Sequence, residues 1–235
     1  MKRKTKIVLA IASLALAALA CQALSGFGNT AVPSNTGSPA IPTQPVGDVI
    51  LSDDFSSTQW GTGTDTDSSI EYSNQALQVI VFTKNFFVWS TPNNENYQNV
   101  HTEVTVVNNG TDSTTAFGLM CNQQDSANGS FYYFAMTPAG EYAIAKATAE
   151  QSDVFLTNND QWAASDLIAK DAPSYHVGAD CNSNGTLTLH VDGKQIASVS
   201  DVAYTIGGVA VFVWSGEEAT KTDVSFDDFL MTRLP

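Results

Sequence analysis

The sequence predicts an all-β protein built as a single antiparallel β-sandwich, and three observations lead to that prediction. Short runs in which apolar and polar residues alternate fill the chain after residue 48, as at residues 77–82 and 100–106. Dipeptides that favour positive φ angles separate such runs, among them Asn184-Gly185. Only residues 163–170 suggest a helical turn. About a dozen short strands with almost no helix are typical of a sandwich.

Residues 1–20 predict a lipoprotein export signal. Four basic residues stand among the first six, and an apolar stretch at residues 7–20 leads through small residues to Cys21. That stretch is shorter than the roughly 20 residues that span a bilayer, so a permanent transmembrane helix is the weaker interpretation. Because residues 17–21 resemble the bacterial lipobox, we expect Cys21 to be acylated. The alternative is an ordinary cleaved signal in which Cys21 is incidental.

Residues 21–47 predict a disordered tether. The segment is rich in Ser, Thr, Pro and Gly and carries no charged residue. Such a composition cannot bury enough apolar surface to fold by itself. We therefore expect one folded domain at residues 48–235, held in the cell envelope by its lipid anchor and facing outside the cytoplasm.

The charge balance excludes one class of partner. Four of the ten Lys and Arg residues belong to the signal, whereas all 24 acidic residues follow it. Six basic residues against 24 acidic ones give the mature chain a net charge of −18. Such a chain repels phosphate backbones, so we expect no nucleic acid partner and no membrane contact other than the anchor.

The cysteine count predicts one disulfide. The chain has three cysteines, and Cys121 and Cys181 form a pair once Cys21 takes the lipid. Alternation places each of the pair on the apolar side of its strand, as a core-facing bridge requires. The alternative is two buried free thiols.

Several stretches resemble the concanavalin A-like jelly rolls, the superfamily of lectins, glucanases, laminin G-like modules and keto-disaccharide hydrolase-like domains of bacterial lipoproteins. The stretches are residues 50–55 (ILSDDF), 117–121 (FGLMC), 131–134 (FYYF), 187–194 (LTLHVDGK) and 224–229 (VSFDDF). The resemblance implies a jelly-roll sandwich over about residues 48–233 and a polysaccharide or glycan as partner. Since a fold hosts many activities, it implies little about chemistry.

The sequence lacks the carboxylate pattern of a glucanase of this superfamily. Such an enzyme is expected to carry a Glu-x-Asp-x-x-Glu run, which places acid and nucleophile on one strand face. The glutamates here are scattered, and the adjacent Glu217 and Glu218 would point to opposite faces of a strand. We assign no catalytic residue.

Four aromatic residues are candidates for ligand binding. Sugars need flat apolar faces for stacking and polar groups alongside. The candidates lie in or near polar segments, in contrast to Trp60 and Trp214, which suggest core packing. They are Trp89, Tyr97, Tyr132 and Trp162. For each of them the alternative is a half-buried packing role.

The three histidines, His101, His176 and His190, fall on the faces of their strands opposite the apolar residues. Glu103, Asp180 and Asp192 lie on the same outer faces, and such a cluster is able to bind a metal or transfer protons. The alternative is that outward positions simply tolerate polar residues, because the sequence does not show that the strands are neighbours. Any metal therefore stays unknown.

Aspartates on the first and last predicted strands suggest a second type of site. These are Asp53, Asp54, Asp227 and Asp228. No cofactor is required, but a structural calcium is possible there, since calcium prefers carboxylate oxygens. Charges that discourage edge-to-edge pairing explain the same residues equally well.

Together these observations predict a surface-anchored, non-catalytic carbohydrate-binding or recognition module. One alternative is a carbohydrate-cleaving enzyme of the keto-disaccharide hydrolase-like kind that uses the outward histidines and carboxylates. The other is a structural or protein-binding ectodomain without a sugar site.

Overall fold

The computed structural model describes residues 47–124, 129–216 and 222–235. Over these ranges the chain forms sixteen strands and no helix, which confirms the all-β prediction. None of the described residues therefore forms a helix long and apolar enough to cross a membrane. The export signal, the acylation of Cys21, the tether up to residue 46 and the pair Glu217-Glu218 lie outside the described residues.

In chain order the strands are β1 (Val49–Asp53), β2 (Gly63–Thr64), β3 (Ser68–Ser73), β4 (Ala76–Val81), β5 (Phe87–Ser90), β6 (Val100–Asn108), β7 (Ala116–Gln123), β8 (Phe131–Met136), β9 (Glu141–Ala147), β10 (Val154–Phe155), β11 (Ala163–Ala164), β12 (Tyr175–Cys181), β13 (Thr186–Val191), β14 (Lys194–Ser200), β15 (Gly208–Trp214) and β16 (Thr222–Arg233).

The strands form two antiparallel sheets. Sheet A has the order β14-β13-β12-β6-β16-β4-β3-β2, with β1 also paired to β16. Sheet B has the order β10-β9-β8-β7-β15-β5, with β11 also paired to β9. The sheets pack face to face around one apolar core to which both contribute. This is the jelly-roll sandwich that the sequence predicts.

Turn dipeptides end the strands where the sequence predicts. Asn184-Gly185 joins β12 to β13, and Gly185 has a φ of 89°. Asp192-Gly193 joins β13 to β14 with φ angles of 50° and 71°. Gly adopts this region freely, and among the other residues Asn and Asp tolerate it best, which explains the choice of residues.

The helical turn expected at residues 163–170 is wrong. This segment contains the short strand β11 followed by turns. The backbone NH of Ser165 donates to the carbonyl of Gly140, and that of Asp171 donates to the carbonyl of Pro138. Bonds to the β8–β9 turn replace those of a helix, so the tertiary contact outweighs a weak local preference.

The predicted disulfide joins the two sheets. Cys121 of β7 in sheet B and Cys181 of β12 in sheet A are bonded, with Cα atoms 6.5 Å apart. Both residues are buried in the core. Apolar neighbours two residues away on each strand point the same way, which confirms the predicted faces.

Asp53 at the end of β1 is a buried structural carboxylate. Its oxygens accept hydrogen bonds from the backbone NH of Phe55 at 2.9 Å, from Nε1 of Trp60 at 2.9 Å and from Nε2 of Gln59 at 2.7 Å. Trp60 is buried against Phe229, which confirms its predicted core role. Whether calcium binds near these terminal strands stays a prediction.

Candidate functional site

The outer face of sheet B is apolar, although it points away from the core. Strands β7 and β8 are buried along their whole length, and β15 is buried over most of it. An antiparallel sheet with one face in water normally alternates apolar and polar residues. Residues on the outer face form a second apolar cluster, separate from the core between the sheets. On a protein surface, a contiguous apolar patch often marks an interaction site.

A groove of about 770 Å³ runs along this face. Small residues, among them Ala116, Ala135 and Ala147, line its base. Aromatic side chains surround them, namely Phe87, Trp89, Phe131, Tyr133, Phe155, Trp162, Phe212 and Trp214. Because alanine side chains end at Cβ, the larger rings stand above them and enclose a ligand-sized space.

Ring contacts hold the inner part of the groove. Phe87 stacks on Phe212 with ring centroids 4.7 Å apart and planes inclined by 10°. Phe131 lies 5.8 Å from Phe87 and 6.1 Å from Trp89, again between centroids. Trp89 stands opposite Phe212 in the β5–β15 pairing. These contacts restrict the orientation of the Trp89 ring.

Trp162 reaches the groove from the loop between β10 and β11. Its ring packs edge-on against Phe155 at 5.3 Å. The loop is braced from within: Nδ2 of Asn158 donates to the carbonyl of Trp162 at 2.6 Å, and Asp160 accepts from the backbone NH of Phe155 at 2.7 Å. Asn158 and Asp160 have positive φ angles, as Asn and Asp tolerate.

Polar groups border the groove between β9 and β10. Thr148, Glu150, Gln151 and Asp153 lie there, and the Tyr133 hydroxyl donates to Asp153 at 3.0 Å. Burial and the negative charge of Asp153 raise the pKa of Tyr133, so its hydroxyl stays protonated. Desolvation raises the pKa of Asp153, against the effect of this hydrogen bond. The described residues that line the groove include no Lys, Arg or His.

The structure brings together two of the four predicted aromatic residues. Trp89 and Trp162 both line the groove, half-buried. Tyr97 does not: its ring packs at the edge of the core and its hydroxyl bonds to Asn93. Tyr132 is fully buried in the core and does not line the groove. The assignment of Trp214 to core packing is wrong, since Trp214 lines the groove on the outer face.

Sequence reasoning missed most of the groove. Two of the predicted candidates, Trp89 and Trp162, line the groove, whereas five other aromatic residues in the lining were not predicted. These five are Phe87, Phe131, Tyr133, Phe155 and Phe212. The signal that points to them is the continuous apolar character of residues 131–136 and 208–214, which leaves neither face polar.

A second group of candidate side chains lies on the outer face of sheet A. Strands β6, β12 and β13 are neighbours, so the histidines and carboxylates that the sequence could not connect do meet. His101 lies 2.6 Å from Asp180 through Nδ1 and 3.3 Å from Glu103 through Nε2. His190 contacts the other oxygen of Asp180 at 2.9 Å, and His176 contacts Glu103 at 3.2 Å.

The ion pairs shift the pKa values of this group in opposite directions. Burial alone would lower the pKa of His101, but Asp180 and Glu103 outweigh it and raise the value to about 9. Glu103 raises the pKa of His176. The hydrogen bonds of His101 and His176 lower the pKa of Glu103. Burial opposes the same effect at Asp180, whose two histidine partners nevertheless lower its pKa to about 2.

Comparison with known proteins identifies the fold. No family model matches the chain, and no curated protein matches it in sequence. Among solved structures, the carbohydrate binding module CBM66 from Bacillus subtilis superposes with a TM-score of 0.58 at 11% identity, covering 74% of this chain and 96% of that one.

Two further structures have the same architecture. A Bacillus subtilis protein of unknown function with a galectin-like fold gives a TM-score of 0.57 at 10% identity, covering 80% of this chain and 97% of that one. β-Agarase A from Zobellia galactanivorans gives 0.55 at 11% identity, covering 84% and 97%. The fold of this chain is thus the concanavalin-like jelly-roll sandwich, as the resemblance implied.

Proposed function

We propose that this domain is a non-catalytic carbohydrate-binding module whose glycan lies in the aromatic groove of sheet B. One observation carries the proposal: Trp89, Trp162 and Trp214 stand half-exposed around a single groove of about 770 Å³ with a polar border. Structural neighbours that are described as a carbohydrate binding module and as an agarase give general support to a carbohydrate partner.

The chemistry of the groove suits a sugar. Pyranose rings offer a flat face of CH groups that packs on aromatic rings, and hydroxyl groups at the rim of the ring that need hydrogen bonds. The tryptophans offer the first kind of contact. Glu150, Gln151 and Asp153 offer the second along one side.

Two features favour binding without cleavage. A retaining glycosidase needs two carboxyl groups about 5 Å apart on either side of the bond, and the chain lacks the Glu-x-Asp-x-x-Glu run that provides them in glucanases of this fold. The described lining of the groove holds two carboxylates, Glu150 and Asp153, and the Tyr133 hydroxyl engages Asp153.

The proposal includes display at the cell surface. Acylation at Cys21 followed by a tether to residue 47 would hold the groove in the medium while the chain stays anchored. Detergent fractionation of cells tests this part: the Cys21→Ser chain should leave the membrane fraction, and its retention there would contradict the anchor.

Binding of residues 22–235 to a panel of polysaccharides tests the function directly. We expect saturable binding to at least one glycan, and a loss of tenfold or more, about 1.4 kcal/mol, in Trp89→Ala and in Trp162→Ala. Phe82→Ala is the matched control, because Phe82 is an exposed aromatic residue outside the groove. It should bind as the wild type does.

Two results would contradict the proposal. If no glycan binds, or if both tryptophan variants retain full affinity, the groove is not a sugar site, and a protein-binding ectodomain becomes the better account. Release of reducing ends from a bound polysaccharide would instead show that the domain is an enzyme.

A further inference from the structure

The outer face of sheet A carries a second, independent cluster. The outward positions of three adjacent strands contribute His101 and Glu103 from β6, His176, Gly178 and Asp180 from β12, and His190 from β13. All three histidines of the chain are in this set. The aromatic groove lies on the other sheet, so nothing in this inference depends on the proposed glycan site.

Asp180 holds two imidazole rings at once. Nδ1 of His101 lies 2.6 Å from Oδ1, and Nε2 of His190 lies 2.9 Å from Oδ2. One nitrogen from each ring and one carboxylate oxygen all fall within 4.8 Å of one another. Ligands of a tetrahedral zinc ion stand about 3.3 Å apart, given Zn–N and Zn–O bonds of about 2.0 Å. Small side-chain rotations are therefore enough to bring the three atoms onto one ion.

The surroundings of His190 suit a metal ligand. It is only 7% exposed, unusually low for a histidine on an outward position of a sheet. Its Nδ1 has no hydrogen-bond partner among the described residues, so Asp180 is the side chain that orients the ring through Nε2. Because one nitrogen of this buried imidazole is already held in place, reorienting the ring when a metal binds costs less free energy.

Gly178 makes room for the two rings. It stands opposite both Glu103 and His190 in the sheet, at the centre of the cluster. A Cβ atom there would lie 3.3 Å from Cε1 of His101 and 3.3 Å from Cβ of His190, which is tighter than usual packing. Glycine inside a strand weakens the strand and often marks a close approach by other groups. Here the approaching groups are two potential metal ligands.

Glu103 and His176 supply the outer support that metal sites commonly have. The Nε2 atom of His101, on the far side of the ring from Asp180, lies 3.3 Å from Glu103. His176 holds the same carboxylate oxygen at 3.2 Å. A ligating histidine usually donates its second NH to a carboxylate, which fixes the ring and strengthens the ligand.

We propose that His101, Asp180 and His190 form a zinc-binding site on the outer face of sheet A, with Glu103 as the partner that orients His101. Two imidazoles and one carboxylate match the ligands of zinc, whereas calcium prefers oxygen ligands alone. Three protein ligands leave a fourth position for water or an external group. Zinc takes a lone pair from each nitrogen, and protons bound there pass to solvent.

Zinc titration of the metal-free chain, prepared without a histidine tag, tests the proposal. We expect one zinc ion per chain by calorimetry and equilibrium dialysis, and a rise in melting temperature with zinc that the Asp180→Asn substitution removes. Cobalt substitution adds a spectroscopic readout, since a site with nitrogen and oxygen ligands gives visible d–d absorption bands.

Variants separate a built site from casual surface binding. Asp180→Asn and His190→Gln should each abolish stoichiometric binding, whereas His176→Gln removes a histidine that is not a ligand and should keep one zinc per chain. Gly178→Ala retains every ligand and should weaken binding by crowding the rings. Circular dichroism shows whether each variant is folded, and His101→Gln serves if another variant is not. No stoichiometric binding in the wild type, or unchanged binding in both ligand variants, would overturn the proposal.

Discussion

The hydroxyl group of Tyr132 links the two sheets of the sandwich. Tyr132 lies in β8 of sheet B and donates a hydrogen bond to Asp201, which follows β14 of sheet A. Lys146 of β9 adds an ion pair to the same carboxylate at 2.8 Å. Burial alone would raise the pKa of Asp201, but its hydrogen bonds with Lys146 and Tyr132 outweigh that effect and lower it. The carboxylate form thus stabilises the folded state.

Tyr132→Phe should lower the free energy of unfolding by about 2 kcal/mol near neutral pH, because it leaves a partly buried carboxylate with one fewer donor. Asp201 has a lowered pKa in the folded chain, so its contribution is present above the ordinary value of 3.8 and is lost as the pH falls through the lower folded value. The deficit should therefore shrink in acid. Urea unfolding at several pH values measures it.

Tyr97→Phe is the matched control for that variant. The Tyr97 hydroxyl bonds to Asn93 at a partly buried site nearer the surface, and its loss should cost no more than about 0.5 kcal/mol. Glycan binding should survive in both variants. If the Tyr132→Phe chain has normal stability but no longer binds glycan, Tyr132 belongs to the ligand-binding site.

The sequence around individual aromatic residues explains which members of the groove could be predicted and which could not. In residues 131–134, two aromatic residues face the core and two face the groove. Because the residues on both faces are aromatic, the sequence shows no alternation of apolar and polar residues that would tell the faces apart. Tyr132 was therefore as good a candidate as Tyr133. Trp89 and Trp162 were distinguishable because a polar segment follows Trp89 and another precedes Trp162. Trp214 lies at the end of an apolar run that hides its outward position.

At the level of elements, the disulfide connects β7 to β12 across the core and closes a loop of 60 residues. The chain-entropy model assigns such a loop about 4 kcal/mol of stabilisation as an upper expectation. The double variant Cys121→Ala, Cys181→Ala should approach that loss in denaturant unfolding. Wild type under a strong reductant is its control and should unfold at a similar denaturant concentration. Equal stability of the oxidised and variant chains would show that the sheets hold together without the link.

Strand patterns predict faces but not neighbours. The outward positions of His101, Asp180 and His190 follow from alternation within β6, β12 and β13. The contact of His101 with Asp180 depends on a pairing between residues about 80 positions apart, which no local pattern encodes. The fold class was predictable from the composition and from the alternation of apolar and polar residues, and the disulfide from the number of cysteines. The second cluster required the three-dimensional strand order.

For the whole molecule, the acidic balance limits the kind of glycan. The chain has a net charge of −14 including the signal, and the described lining of the groove holds Glu150 and Asp153 without a cation. A neutral oligosaccharide should therefore bind more tightly than its uronic acid counterpart, and added salt should reduce the difference by screening repulsion. Calorimetry at two ionic strengths measures both. Tighter binding of the uronic acid, weakened by salt, would require cations from outside the described lining of the groove.

The pairing of β1 with β16 brings the two ends of the sandwich together. Val49 stands opposite Thr232, and the backbone NH of Arg233 donates to the carbonyl of Asp48 at 2.9 Å. A domain whose two chain ends are adjacent in space can be inserted into another protein at a single point of that protein's chain. This module is thus suited to transplantation as a cassette: grafted into a surface loop of an unrelated protein, it needs only short connecting peptides and leaves both of its outer faces free.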